Sequence, residues 1–480
     1  MNSVKESTIK GVKWSAIERF SVQGISFLVG LVLARLLSPS DFGVIGMLSI
    51  FMSISQTFID SGFSNALIRK LDRTEIDCST AFYFNIVVGL FFFILLYFCS
   101  PVIASFYNMP ILTDITRVLG ITLFINSLTV VQVALLTIKI DFQTQAKINL
   151  IGALVSGFIG IVLAFCGFGV WSLVYQQVSR ALISTLLFWI MTDWRPLWAF
   201  SLNSFKDLFS FGSKLLLSGL LHTFYLNFTN LIIGKYYSSK DLGYYERGRQ
   251  FGIIPTEMSV SIIQRVVFPI LSTIQNEDAR LINVYRKYIR VISIPIFFMM
   301  MLLAVLAKPI IIILLTNKWY DSIIYLQLFC FSQMFNHITR INLNLLEVKG
   351  RSDLYLRLEI IKKTISFCML LISAPFGILA ICISQIIYSQ IAIFLNTYYT
   401  KKLFNLSYWT QVKDFSKYFF ASLVACIPVY MMVMANVNNY ICIVLGPLVA
   451  LCLYCFVILR KDENYNELKV ILLQALYKKK

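Results

Sequence analysis

Charge and histidine are what this 480-residue sequence has least of: 14% of its residues are Asp, Glu, Lys or Arg, and it holds 2 His. A soluble domain carries about a quarter charged residues, so a soluble enzyme is excluded. Histidine-built metal chemistry is excluded with it, and the 10 Cys do not restore it, because none forms a CxxC pair or a Cys/His spacing of the metal-ligand type. Cys166, Cys368, Cys382, Cys442 and Cys452 lie inside apolar runs, where reduced, packed thiols are expected. No GxxxxGK followed by Ser or Thr occurs, so the chain does not hydrolyse ATP through a phosphate loop and is not an ABC exporter. Neither a metal nor a cofactor is expected.

What the sequence has in quantity is apolar and aromatic surface, 58% hydrophobic with 15% Phe, Trp and Tyr, which excludes disorder and leaves the membrane as its solvent. A bilayer core of about 30 Å needs about 20 apolar residues per helix, and such runs follow one another from Trp14 to Leu459. Polar and Gly/Pro punctuation near 38–41, 69–77, 101–114, 139–147 and 166–169 separates six spans by residue 192. Breaks near 193–206, 235–241, 269–285, 316–321, 348–353 and 374–377 separate six more, and 401–414 leads to a final pair divided at 435–440. The expected fold is therefore an all-α integral membrane protein of about fourteen transmembrane helices.

The balance of 42 Lys+Arg against 24 Asp+Glu, a net charge of +18, follows from topology rather than from nucleic acid. Cations accumulate in cytoplasmic loops. Here Arg69, Lys70 and Arg73; Arg286, Lys287 and Arg290; Lys349, Arg351 and Arg357; and Lys401 and Lys402 all fall in alternate loops, while 166–169 and 435–440 carry none. Both termini are accordingly expected in the cytoplasm, and no nucleic-acid partner is expected. The first apolar run is too long for a signal peptide and lacks a small-residue cleavage site, so the first helix is expected to remain.

An internal repeat organises the spans. Arg35, Ser38, Asp41 and Gly43 recur as Lys235, Ser238, Asp241 and Gly243 at an offset of 200, and Phe168, Gly169, Val170 and Gln177 recur as Phe376, Gly377, Ile378 and Gln385 at an offset of 208. An even number of spans separates the copies, so both halves enter the membrane from the same side, which is a transporter architecture of two parallel six-helix repeats. The expected divisions are 1–192, 193–403 and an extra helix pair with a basic cytoplasmic tail at 404–480. Tight turns that favour Ser, Asp and Gly would produce part of the same pattern without duplication.

Intramembrane polar groups are costly and mark function by default. Arg180 lies about eleven residues into the sixth span, roughly 16 Å along the helix, too deep for easy snorkelling. Ser172, Gln176, Arg180 and Ser184 recur every four residues and form one stripe, with Gln177 beside it, which reads as a cavity wall or as a structural arginine paired with a neighbouring helix. His222 is mid-span in the seventh helix near Asn227 and Asn230, where a pore lining and an ordinary packing histidine are both open readings. Asp60 and Glu257, the latter two residues after Pro255, are deep carboxylates suited to a coupling cation or to pairing with Arg180 or Arg340.

Gly11, Trp14, Ala34, Arg35, Leu36, Pro39, Asp41, Phe42 and Gly43, then Asp60, Gly62, Ala66, Leu67 and Ile68, resemble the start of bacterial polysaccharide exporters, the Wzx-type flippases of the multidrug/oligosaccharidyl-lipid/polysaccharide superfamily. Asp241, Leu242, Gly243, Tyr244 and Tyr245, with Arg265, Phe268, Pro269 and Leu271, resemble that family's eighth span. The resemblance implies two six-helix bundles around a central cavity, with two further C-terminal helices. It also implies transfer of an undecaprenyl-diphosphate-linked oligosaccharide to the outer leaflet of the cytoplasmic membrane, for capsule, exopolysaccharide or lipopolysaccharide O-antigen. Membrane lipids and the polysaccharide polymerase machinery are the implied partners. Arginines of related flippases carry over to Arg19, Arg35, Arg247 and Arg249 as headgroup-binding positions, although all four also lie where they would snorkel. The rival readings are a multidrug exporter of organic cations and a membrane polymerase or ligase. The second is disfavoured by short outer loops whose carboxylates are nearly limited to Asp41, Asp114, Asp241 and Asp321.

Overall fold

Backbone amides in lipid have no water to bond, so an apolar chain of this length must close its hydrogen bonds within helices. The computed structural model describes residues 2–60, 62–458 and 462–465, without the side chains of 2–13, 15–17, 19, 258, 259, 261, 262, 265, 266 and 456–458. Among the described residues every regular element is helical. The chain is an all-helical, multi-pass membrane protein, and it divides into two compact units, Met1–Gly243 and Tyr244–Lys480.

The first unit holds α1 (Asn2–Leu36), α2 (Pro39–Asp60), α3 (Phe63–Arg69), α4 (Glu75–Tyr107), α5 (Leu112–Ser127), α6 (Val130–Ile138), α7 (Phe142–Phe165), α8 (Val170–Met191), α9 (Leu202–Tyr236) and the start of α10 (Ser239–Ile262). The second unit continues from α10 through a π-helical turn at Ile263–Val267 into α11 (Phe268–Thr273), α12 (Asp278–Val305), α13 (Ala307–Leu315), α14 (Ser322–Gln333), α15 (Asn336–Val348), α16 (Ser352–Ser373), α17 (Ile378–Phe404), α18 (Tyr408–Met434) and α19 (Asn439–Cys452).

Each break expected from polar and Gly/Pro punctuation coincides with an interruption between helices, for example 37–38, 70–74, 108–111, 166–169 and 405–407. The structure adds a break that punctuation does not signal, at 128–129, where α5 and α6 meet at a bend of 40°. Among the described residues seven helices are long and apolar enough to cross a membrane, eight if the bent pair is one span. Other expected spans carry polar residues, as α8 does with Gln176, Gln177 and Arg180 and α10 with Glu246, Arg247 and Arg249. The basic C-terminal segment from 466 lies outside the described residues.

Close packing in the first unit rests on small residues, as expected where lipid removes any hydrophobic drive between helices. On α7, a Cβ at Gly152 would meet Ser184 Oγ at 2.5 Å, and one at Gly160 would meet Gln176 Cβ at 3.0 Å, so α8 lies directly on the α7 backbone. α9 packs lengthwise on α2, with Gly62 against Gly212 near one end and Gly234 against Met47 near the other. The division between the two units falls at 243/244, in the first turns of α10.

In the second unit α18 is joined to α12 by a bidentate ion pair. Arg286 Nε and Nη2 donate to the Asp414 carboxylate at 2.8 and 2.9 Å, and Asp414 is 5% exposed. A buried amide chain runs beside it: Tyr285 OH donates to Asn342 Oδ1 at 2.7 Å, and Asn342 Nδ2 donates to Gln411 Oε1 at 3.0 Å. Replacing Asp414 by Ala leaves the guanidinium without its carboxylate. The expected destabilisation is roughly 3 kcal/mol, at the low end of the range for breaking a buried pair because Arg286 remains partly solvated. Thermal unfolding in detergent should show it, with Arg286→Lys closer to the parent than Asp414→Ala.

Candidate functional site

The polar face of α2 is built from Ser49, Ser53, Gln56, Thr57 and Asp60, whose spacing puts them on one side of the helix. α9 runs antiparallel to it and presents Gly219, Thr223, Asn227 and Asn230. The two faces meet: Asn230 Nδ2 donates to Ser49 Oγ at 3.3 Å, and the Thr57 and Thr223 hydroxyls are 3.0 Å apart. Asn227 Nδ2 donates to its own helix at Thr223 O, 2.9 Å away. Asn230 is buried, and its Oδ1 has no partner among the described residues, so the seam retains an unused acceptor. His222 is exposed on the adjoining surface of α9.

Asp60 closes the seam at the last residue of α2. Its carboxylate is exposed and accepts from Gln56 Nε2 at 2.9 Å, while Gln56 Oε1 accepts from Asn126 Nδ2 at 3.1 Å. Asn126 stands in the last turn of α5, beside the bend into α6. A helix end inside a membrane frees carbonyls that something must bond. Here Trp189 Nε1 donates to Leu128 O at 3.1 Å and Thr185 Oγ1 to Ile125 O at 3.3 Å, both from α8. The bend thus connects the helix of Asp60 to the helix of Arg180. Neither Gln56 nor Asn126 stood out in the sequence, because a single amide in an apolar run looks the same whether or not a helix ends beside it.

On α8, Ser172 donates to Gly169 O at 2.7 Å, and Gln176 and Ser184 lie on the glycines of α7, so these members of the stripe pack against protein. Arg180 and Gln177 are exposed, and Arg180 has no hydrogen bond or ion pair among the described residues. The same helix exposes Leu182, Leu186 and Ile190 at a different angle. α8 therefore has two open faces, one apolar and one cationic, and only the apolar face suits lipid.

In the second unit the two arginines of α10 are already engaged. Arg247 is 6% exposed, donates to Gln250 Oε1 at 2.7 Å and stands 5.4 Å over the Trp319 ring. Arg249 pairs with Glu246 at 2.9 Å. Arg35 is exposed in the last turn of α1. Arg19 immediately precedes the apolar stretch Phe20–Leu36, and its side chain lies outside the described residues. Glu257 is exposed on α10, which continues through Pro255 and loosens only at the following π-helical turn. Arg340 pairs with Glu347 at 3.6 Å. Lys362, 4% exposed on α16, pairs with Glu359 at 2.5 Å, a buried pair that hydropathy alone does not single out. At the loop following α3, the Asp77 carboxylate 2.9 Å from Lys70 pushes that ammonium's pKa up, so this cation is held by protein.

A family described as polysaccharide biosynthesis protein matches residues 32–324, more than half of the chain. The teichuronic acid biosynthesis protein TuaB of Bacillus subtilis (strain 168) is 28% identical over 357 residues, 74% of this chain and 74% of that protein. The lipopolysaccharide biosynthesis protein WzxC of Escherichia coli (strain K12) is 24% identical over 364 residues, 75% and 74% of the two chains. Among solved structures, the lipid II flippase MurJ in an inward closed conformation superposes with a TM-score of 0.73 at 14% identity, covering 92% of this chain and 97% of that one, which is a likeness of fold.

Proposed function

Because the chain belongs to the polysaccharide biosynthesis protein family, we propose that it is a flippase. It moves an undecaprenyl-diphosphate-linked oligosaccharide across the bacterial cytoplasmic membrane by alternating access, in the assembly of a surface polysaccharide. The observation that carries the reading is Arg180: an exposed cation on α8, with no protein counter-charge among the described residues. Such a group is stable only beside water or an anion, and a diphosphate supplies the anion. Gln177, His222, Asn227 and Asn230 serve the sugar-bearing part of the path, whereas Gln176, expected there from the sequence, packs on Gly160 of α7 instead; Asp60, oriented by Gln56 and Asn126, is the ion-coupling position. Glu257, Arg19, Arg35, Arg247 and Arg249 are secondary positions, since two of the arginines already have partners in this conformation. The reading includes fourteen crossings in two parallel repeats plus a C-terminal pair, with both termini cytoplasmic. The protein acts as a transporter and leaves glycosyl chemistry to others, the polymerase machinery among them.

Deleting the protein is expected to trap lipid-linked oligosaccharide on the cytoplasmic leaflet and abolish the surface polymer, measured by leaflet-specific labelling of the lipid-linked pool together with surface carbohydrate. Intact polymer combined with new sensitivity to cationic drugs would replace this reading by that of a multidrug exporter.

A further inference from the structure

Asn85 on α4 and Gln132 on α6 are completely buried, and none of their four side-chain polar atoms has a hydrogen-bond partner among the described residues. Unbonded amides are costly in any protein interior, and two of them in one unit require a common explanation. Both border the bend between α5 and α6. On α4, Phe82, Asn85 and Gly89 recur at i, i+3 and i+7 and so share one face. Phe82 packs in one cluster with Val131, the residue before Gln132, and a Cβ on Gly89 would meet the Ser127 side chain at 2.6 Å. Asn85 therefore lies between two contacts that bracket the bend at 128–129, and Gln132 occupies the first turn of the helix that leaves it.

The carbonyls at the end of α5 are already served by other groups. Ser127 Oγ donates to Phe124 O at 2.7 Å and Thr129 Oγ1 to Asn126 O at 3.0 Å, while Thr185 and Trp189 of α8 donate to Ile125 O and Leu128 O. The two amides do not bond each other either. What they offer together is two carboxamide oxygens and two NH2 groups, acceptors and donors in equal measure. A cation would be drawn to the oxygens and repelled by the amide hydrogens, and hard cations take about six oxygen ligands, carboxylates among them. Among the described residues no three His, Cys, Asp or Glu side chains are placed to hold a metal. Water donates twice and accepts twice, which matches the mixture, and it bridges polar groups that cannot reach each other directly.

We propose that Asn85 and Gln132 form an internal water-binding site at the α5/α6 bend, and that the bound water joins α4 to α6 as a hydrogen-bonded bridge. Asn126, which reaches Asp60 through Gln56, stands in the last turn before the same bend, so the bridge supports the helix end from which Asp60 is oriented. The inference is independent of what the protein transports.

Radiolytic hydroxyl-radical footprinting of the protein in nanodiscs tests it, because a brief X-ray pulse generates radicals from bound water and oxidises the side chains beside it. Phe82 is buried, yet it should be oxidised in the parent and several-fold less in the double variant Asn85→Leu with Gln132→Met. Thermal unfolding in detergent gives a second reading. Each single substitution removes one end of the bridge and should lower the melting temperature, whereas the double variant should lie well above the sum of the two, as coupled sites require. Two independent, unbonded amides predict the reverse, with each apolar replacement stabilising and the effects additive. That outcome, or a Phe82 left unoxidised in the parent, would overturn the site. A melting temperature that rises with sodium or potassium in the parent but not in Asn85→Leu would replace the water by a cation and overturn the proposal as well.

Discussion

Arg180→Ala is expected to lose transport by about 10- to 150-fold while its membrane abundance stays near that of the parent. A charge-assisted hydrogen bond contributes about 1.5–3 kcal/mol, and each 1.4 kcal/mol is a factor of ten. Arg180→Lys keeps the charge but loses the planar fork that engages phosphate oxygens in pairs, so partial transport should remain. Arg180→Glu places an anion where the diphosphate must pass and should be the most defective of the three. The ordering Lys, Ala, Glu is the signature of an electrostatic role. Abundance matters because an arginine paired with a buried carboxylate would destabilise the fold when removed, and its variants would then lose protein and transport in proportion. No such carboxylate is bonded to Arg180 among the described residues, so normal abundance is the expected result. Full transport by the Ala variant would remove Arg180 from the path.

Asp60→Asn tests coupling rather than recognition. The substitution is nearly isosteric, and an amide oxygen at this position can still accept from Gln56 Nε2, now 2.9 Å from the carboxylate, so the packing at the end of α2 should survive. What disappears is the charge available to a cation. Transport driven by an imposed ion gradient is expected to fall at least tenfold, while binding of the lipid-linked substrate, measured in detergent or nanodiscs, changes by less than about twofold. Gln56→Ala should show a milder form of the same defect, because it frees the carboxylate without removing it. Equal loss of binding and of gradient-driven transport in Asp60→Asn would place Asp60 among the substrate contacts instead. An Asp60→Asn protein that responds to the gradient as the parent does would end its assignment to coupling.

The two series bear on different features, and they differ in how visible those features were before folding. Arg180 stands out in the sequence because a charge deep in an apolar run is costly wherever that run packs, and Asp60 stands out for the same reason. Gln56 and Asn126, which orient Asp60, do not. Their importance comes from the bend at 128–129, and nothing in Ser127, Leu128 and Thr129 breaks a helix as Pro or Gly would. The α8 stripe shows the converse. Ser172, Gln176, Arg180 and Ser184 are equally spaced, yet Gln176 and Ser184 lie on the glycines of α7 while Arg180 is exposed, because a four-residue spacing drifts slowly around the helix and does not state which neighbour lies against it.

Local and additive properties of the chain were legible without the structure. Apolar run length and the punctuation between runs depend on the solvent and on nearest neighbours, so they determined the helical class, the membrane setting and the helix breaks that polar or Gly/Pro residues mark, but not the bend at 128–129. Tertiary structure decided what depends on partners distant in sequence. It engaged Arg247 with Gln250 and Trp319, bound Asp414 to Arg286, buried Lys362 beside Glu359 and set Gly43 on Ser239 across an interval of 196 residues. The physical reason is common to all of them. A buried polar group or a bare backbone is tolerated only where a particular partner completes it, and the identity of that partner is fixed by how helices pack, which no single helix encodes.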